Sequence, residues 1–141
     1  MKKIIAIQAD KINSINIKTD TTFQLVLEAQ NRGYRIFWYE TKDLNLLNKK
    51  VIAKADQIKF FDNSKNYFKK INKINLDLSK TKFVLMRQNP PFNMDYITAT
   101  FYLEFLKKTK VVNNPKSVRN ISEKFYSINF LKMMPPTIFT E

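Results

Sequence analysis

The stretch IIAIQADKINSINIKTDTTFQLVLEAQNRGYRIFWYE, residues 4–40, reads as strand, loop, helix and strand in one run. Residues 4–9 are a β-branched apolar run closed by Asp10, the pattern of a short buried strand. Residues 11–18 are polar with interspersed Ile and read as a loop. Asp20 is placed to cap a helix whose apolar positions are Phe23, Val26 and Leu27, with Gln30 one turn on. Leu25 and Ala29 widen its expected buried face, as for a helix lying on a sheet. Gly33, the only glycine of the chain, stands where that helix should end. Residues 35–40 carry Ile36, Phe37, Trp38 and Tyr39 and read as a second strand. Strand, helix and parallel strand make a βαβ unit with a right-handed crossover.

Farther along, the alternation is weaker. Residues 44–47 and 51–55 read as short strands around a turn at 48–50, and 57–61 and 67–74 as further strands of an antiparallel insertion. Residues 83–86 are four apolar residues in a row and form a strand ended by Arg87. Pro90 and Pro91 forbid continuation of either a strand or a helix. Asn93 caps the next helix, Asp95 favours its dipole, and Tyr96, Ala99, Leu103 and Leu106 keep helical spacing. Residues 111–112 are a short strand, a helical turn follows Pro115, and Ser122 caps a last helix carrying Phe125, Tyr126 and Phe130. Residues 133–141 read as a linker.

With 141 residues the chain has room for one domain and little more. It has no Cys and no His, which excludes disulfides, thiol nucleophiles, imidazole bases and the commonest metal ligand. One glycine cannot build a P-loop or a dinucleotide fingerprint. The formal charge of +13 admits an alternative, a basic module that stacks nucleic acid on Tyr67 and Phe68 among Lys65, Lys69 and Lys70. The plainer explanation is drift toward Lys, Ile and Asn, since the lysines are spread along the chain rather than gathered. No stretch approaches the ~20 apolar residues of a membrane span, so the expected location is cytoplasmic.

Asp10, Arg87 and Asn113 end three strands expected to be parallel, and ligands of open α/β sheets bind beyond the carboxyl ends of strands. Arg87 offers a planar donor fork suited to a carboxylate; alternatively it pairs with an acid at the strand end. Asp10 either lines a ligand cleft or caps the loop that follows it. Ser14 and Asn16 share that loop. Lys124, near a helix start, either meets an anionic ligand or is simply solvated. Arg87 and Asp10 are expected on one side of the sheet, facing a shared cleft.

Four blocks carry a family resemblance. DKINSINIKTDTTF at 10–23 is similar to the opening loop of prokaryotic glutathione synthetases, where Ile-Asn-x-Lys-x-Asp-(Ser/Thr)-(Ser/Thr)-Phe enters the first helix. LEAQNRGY at 27–34 looks like the family's helix end. LMRQNPPFNMDYITATFYLE at 85–104 resembles the specific Leu-Met-Arg-x-(Asp/Asn)-Pro-Pro-Phe block. VVNNPKSVRNISEK at 111–124 resembles Val-Asn-x-Pro-x-(Ser/Ala)-(Leu/Ile)-Arg-x-x-x-Glu-Lys. The blocks come in family order over nearly the whole chain. Two loop positions depart: Lys11 stands where the family usually has Pro, and Asn114 where Lys is common.

The resemblance implies a Rossmann-like pre-ATP-grasp α/β domain, mostly parallel, with helices on both faces and a small antiparallel insertion. Residues 1–121 would be that substrate domain and 122–141 the start of an ATP-grasp domain continuing past Glu141. It implies a ligase that condenses γ-glutamylcysteine with glycine, using ATP and Mg2+, and assembles as a homo-oligomer. Arg87 would contact the peptide, Asp10, Ser14 and Asn16 would line the substrate loop, and Lys124 would reach ATP phosphate. No catalytic residue and no metal ligand is expected within these 141 residues, which alone should be inactive. Neither nucleic acid nor membrane is an expected partner.

Overall fold

The computed structural model describes residues 3–63, 65–121 and 125–140. Strand β1 (Ile4–Gln8) lies at the centre, between β2 (Arg35–Tyr39) and β6 (Phe83–Met86), parallel to both. Strand β7 (Lys110–Val112) continues the parallel part beside β6. Helix α1 (Thr21–Asn31) makes the β1–β2 crossover. The α/β expectation, with a parallel βαβ unit at its start, therefore holds.

Local chemistry sets the helix ends. Asp20 Oδ1 accepts from Thr22 N at 2.6 Å and caps α1 as read. At its other end Gly33 takes φ +79°, Gly33 N donates to Gln30 O, and Tyr34 N donates to Ala29 O, the paired bonds of a Schellman motif. Helix α2 (Met94–Leu103) is capped by Asn93, whose Oδ1 accepts from Tyr96 N at 3.0 Å. It ends three residues before Leu106, which stays buried just beyond it. Helix α3 (Pro115–Asn120) has Pro at its first position and Asn114 as cap.

The antiparallel part is longer than expected and joins the same sheet. Strand β3 (Leu44–Leu47) turns through Asn48 and Lys49, both at positive φ, into β4 (Lys50–Phe60). Two consecutive positive-φ residues are what a twist-matched two-residue hairpin loop requires. Strand β4 is one eleven-residue strand, not two. One of its edges takes β3 along 50–53 and β2 along 56–58; the other is lined by β5 (Phe68–Asp77). A register shift at Gln57/Ile58 leaves Ile71 as the extra residue of β5.

Two cores result, one on each face. Ile4, Ala6, Phe37, Tyr39, Val84 and Met86 face α2, with Ala99 and Leu103 packed on them. Ile5, Ile7, Ile36 and Trp38 face α1, meeting Phe23 and Val26. Strand β4 passes from one core to the other: Val51, Ala53 and Ala55 lie in the first, Ile58 and Phe60 in the second. Leu25 is 48% exposed, so the buried stripe of α1 is narrower than its sequence suggests. The last expected helix is instead a pair of 3-10 turns at Tyr126–Met133, broken at Phe130. Among the described residues no helix is long and apolar enough to cross a membrane.

Candidate functional site

The carboxyl ends of β1, β2, β6 and β7 share one edge of the sheet, where the βα loops gather. Arg87 follows β6 directly. Its backbone N donates to Gln8 O at 2.7 Å and extends the β1–β6 ladder by one residue. Alternation then turns its side chain toward α1, where Nε donates to Thr22 Oγ1 at 3.0 Å and Nη2 to Thr21 Oγ1 at 2.7 Å. No carboxylate forms an ion pair with Arg87 among the described residues. A half-buried cation thus stands at the first turn of a helix, where the dipole disfavours positive charge. Among the described residues the plainer alternative for Arg87, pairing with an acid, is not found.

Asp10 lies on the same edge but does not meet Arg87. Its Oδ2 accepts from Asn89 N at 3.1 Å, and its charge, after burial, helps push the Tyr96 phenol of α2 above its usual range. The carboxylate leans to the α2 side and the guanidinium to the α1 side. The expectation of one cleft faced by both is corrected: Arg87 and Ala9 share the α1 face, so strand alternation sends Asp10 the other way. What joins the two is the chain after β6, which carries Arg87 and is held by Asp10 through Asn89.

The loop after β1 is pinned from two sides. Trp38 Nε1 donates to Asp10 O at 2.9 Å and Tyr67 Oη to Ile12 O at 2.9 Å. Ser14 Oγ donates to Lys11 O, and Asn16 Oδ1 accepts from Lys18 N, so both side chains close the loop on itself. Lys11 in place of proline therefore does not leave the loop loose. Next to it a cleft of about 250 Å³ is lined by Lys11, Asn13, Trp38, Glu40, Lys54 and Asp56, among others. Asp56 is already paired with Lys70 at 2.6 Å.

On the α2 face of this edge, Gln8 and Tyr39 are register partners on adjacent strands, and both are buried. The Gln8 amide and the Tyr39 hydroxyl find no protein partner among the described residues, and burial raises the Tyr39 phenol well above its usual range. The side-chain amide of Gln88 shares that condition. Asn113 lies exposed beyond β7.

The aromatics offered for base stacking pack against their neighbours and stay half-buried. Tyr67 packs edge-on against Phe23 and bonds Ile12, and Phe68 lies 5.1 Å from Tyr67, centroid to centroid. Lys124 and Ser122 lie outside the described residues. Among those described, no three acidic or other ligating side chains gather to hold a metal.

Arg119 and the Thr pair escaped the sequence reading. Arg119 is the arginine of the fourth block, and it ties α3 to α2 through Glu104 at 2.7 Å and Thr100 at 3.0 Å, over the Phe101 ring at 3.9 Å. Its place between helices has no local sequence signal. Thr21 and Thr22 follow the cap Asp20 and read only as a helix start.

A mixed sheet, parallel from β2 through β1 and β6 to β7 and layered by helices, with a pinned loop on its carboxyl edge, defines an α/β domain. The family described as prokaryotic glutathione synthetase, N-terminal domain, matches residues 3–119, and the chain belongs to that family. The chain is 42% identical to the glutathione synthetase of Mesorhizobium japonicum, with 100% of the chain and 45% of that relative covered. It is 41% identical to that of Agrobacterium fabrum, over 99% of the chain and 44% of the relative. Against that of Buchnera aphidicola from Acyrthosiphon pisum it is 37% identical, over 96% of the chain and 43% of the relative. The chain thus spans less than half the length of the curated relatives it matches.

Proposed function

We propose that this chain forms the peptide-substrate side of an ATP-dependent ligase, glutathione synthase, which joins γ-glutamylcysteine to glycine. In this reaction the cysteinyl carboxylate is activated as an acyl phosphate at the expense of ATP, and the glycine amine displaces the phosphate. Arg87 binds a carboxylate of the peptide, and the loop bearing Asp10, Ser14 and Asn16 borders it. ATP and Mg2+ belong to the portion that the relatives carry beyond the matched region, and Lys124 is assigned to an ATP phosphate. Residues 1–121 are then the substrate domain and 122–141 the entry to an ATP-grasp domain. The family match ending at 119 and the end of α3 at Asn120 support that boundary. The chain by itself binds and does not catalyse.

The observation that carries this reading is Arg87 on the carboxyl edge of the sheet, held by two hydroxyls and, among the described residues, by no acid. Calorimetric titration of γ-glutamylcysteine into the chain tests it. Arg87→Ala is expected to weaken binding by roughly 2–5 kcal/mol, the cost of losing one partner of a charged contact. Equal affinity in that variant removes Arg87 from the site.

A further inference from the structure

We infer that Thr21 and Thr22 are positioning residues for Arg87, a hydroxyl clamp that reserves the outer end of its guanidinium for a ligand carboxylate. The inference rests on the substrate reading above and concerns how that arginine is aimed.

A guanidinium has five N–H donors. The clamp takes two, one on Nε and one on Nη2. The three that remain are on Nη1 and Nη2, and two of them, one on each nitrogen, lie parallel at the end away from the side-chain stem, where a carboxylate accepts them. Both ends of the clamp are fixed. Thr22 is 4% exposed, its backbone N–H is held by Asp20 Oδ1, and β-branching restricts its side-chain rotation. Phe23 and Val26 lock the same helix onto the sheet, while Arg87 N is bonded to β1. The acceptors are also neutral. An Asp or Glu in either place would pair with Arg87 and cancel its charge, whereas a hydroxyl orients the group and leaves the charge for the incoming anion. The cation so held opposes the dipole of α1, a conflict that a bound carboxylate relieves.

The test compares γ-glutamylcysteine with its two monoamides, one blocked at the glutamyl α-carboxylate and one at the cysteinyl carboxylate, titrated into the 141-residue chain. The emission of Trp38, the only tryptophan, reports from the site, since its indole bonds Asp10. The wild-type chain is expected to prefer the peptide over one monoamide by at least about tenfold. Thr22→Val keeps the shape and removes the acceptor; it should cut that preference to within about threefold, and Thr22→Ser should restore it. Thr21→Ala, at an exposed first-turn position, should lower the preference in the same direction and covers the case of a Thr22 variant that does not fold. Loss of stability alone would not change a ratio of affinities. If Arg87→Ala abolishes the preference while Thr22→Val and Thr21→Ala both retain it, the clamp is overturned and the substrate reading stands. If wild type and Arg87→Ala show no preference at all, the substrate reading falls, and the clamp falls with it.

Discussion

The side chain of Gln30 pairs with the backbone of Phe60 as a strand would: Nε2 donates to Phe60 O at 3.0 Å and Oε1 accepts from Phe60 N at 2.9 Å. Strand β2 pairs with β4 only as far as Ile36 and Ile58, so Phe60 has no strand beside it on that edge. The last turn of α1 supplies the missing partner. Gln30→Leu leaves a buried N–H and C=O unmet and is expected to destabilise the chain by about 1–3 kcal/mol. A fall in the urea midpoint at unchanged slope would show it; Gln30→Glu, which keeps the acceptor and loses the donor, should fall between.

Asp10 and Asn89 give a second, local prediction. The Asp10 carboxylate is the acceptor for the Asn89 amide, and that bond ties the loop after β6 to the end of β1. In Asp10→Ala, amide exchange at Asn89 is expected to quicken by roughly tenfold, the equivalent of one lost charge-assisted bond. Exchange at Ile7, in the fully buried middle of β1, should stay as it was. An unchanged Asn89 rate would show that the loop is held by other means.

Arg119 supports a third. Its side chain is 15% exposed and that of Glu104 36%, so their pair is only partly screened. Arg119→Ala also removes the bond to Thr100 and the contact over Phe101. The expected loss is about 1–3 kcal/mol, discounted for the exposure of Glu104. Arg119→Lys should recover less than half, because an ammonium can neither fork to two acceptors nor lie flat on a ring. Thermal unfolding of the three proteins measures both effects.

What was legible in the sequence follows from where its signals are local. Asp20, Gly33, Asn93 and Pro115 act within a turn or two of themselves, and each caps or ends the element it was expected to. The sequence suggests two strands where β4 is one, because its buried residues change face between Ala55 and Ile58. A strand that crosses between two cores presents two apolar phases, and polar Asp56 at the crossing reads as a break between 51–55 and 57–61. At the site, Arg87 could be picked out as a polar residue ending an apolar strand. Its side of the sheet could not, since a single residue beyond the last ladder pair settles which face an alternating chain addresses. Trp38 and Tyr67 read simply as strand aromatics; their polar tips matter only because the fold brings the loop after β1 beneath them.

Tyr39 and Gln8 make the last prediction, and it has a pH signature. Both are buried register partners whose polar atoms lack a protein partner among the described residues. A hydroxyl in that state costs stability that a ring of the same shape does not, so Tyr39→Phe is expected to stabilise the chain by about 1–2 kcal/mol at neutral pH. Gln8→Met, similar in length and without the amide, should do the same. Burial raises the folded Tyr39 phenol well above its unfolded value of about 10. Below that value both states keep the proton, and the group adds no slope. As pH climbs past it, the unfolded chain gives up the proton while the folded chain holds it, so stability falls with rising pH. Tyr39→Phe should therefore flatten the decline in urea midpoint between about pH 9 and 11, whereas Gln8→Met should shift the whole curve upward without changing its slope. A Tyr39→Phe chain that loses stability at neutral pH would mean that the hydroxyl is bonded after all.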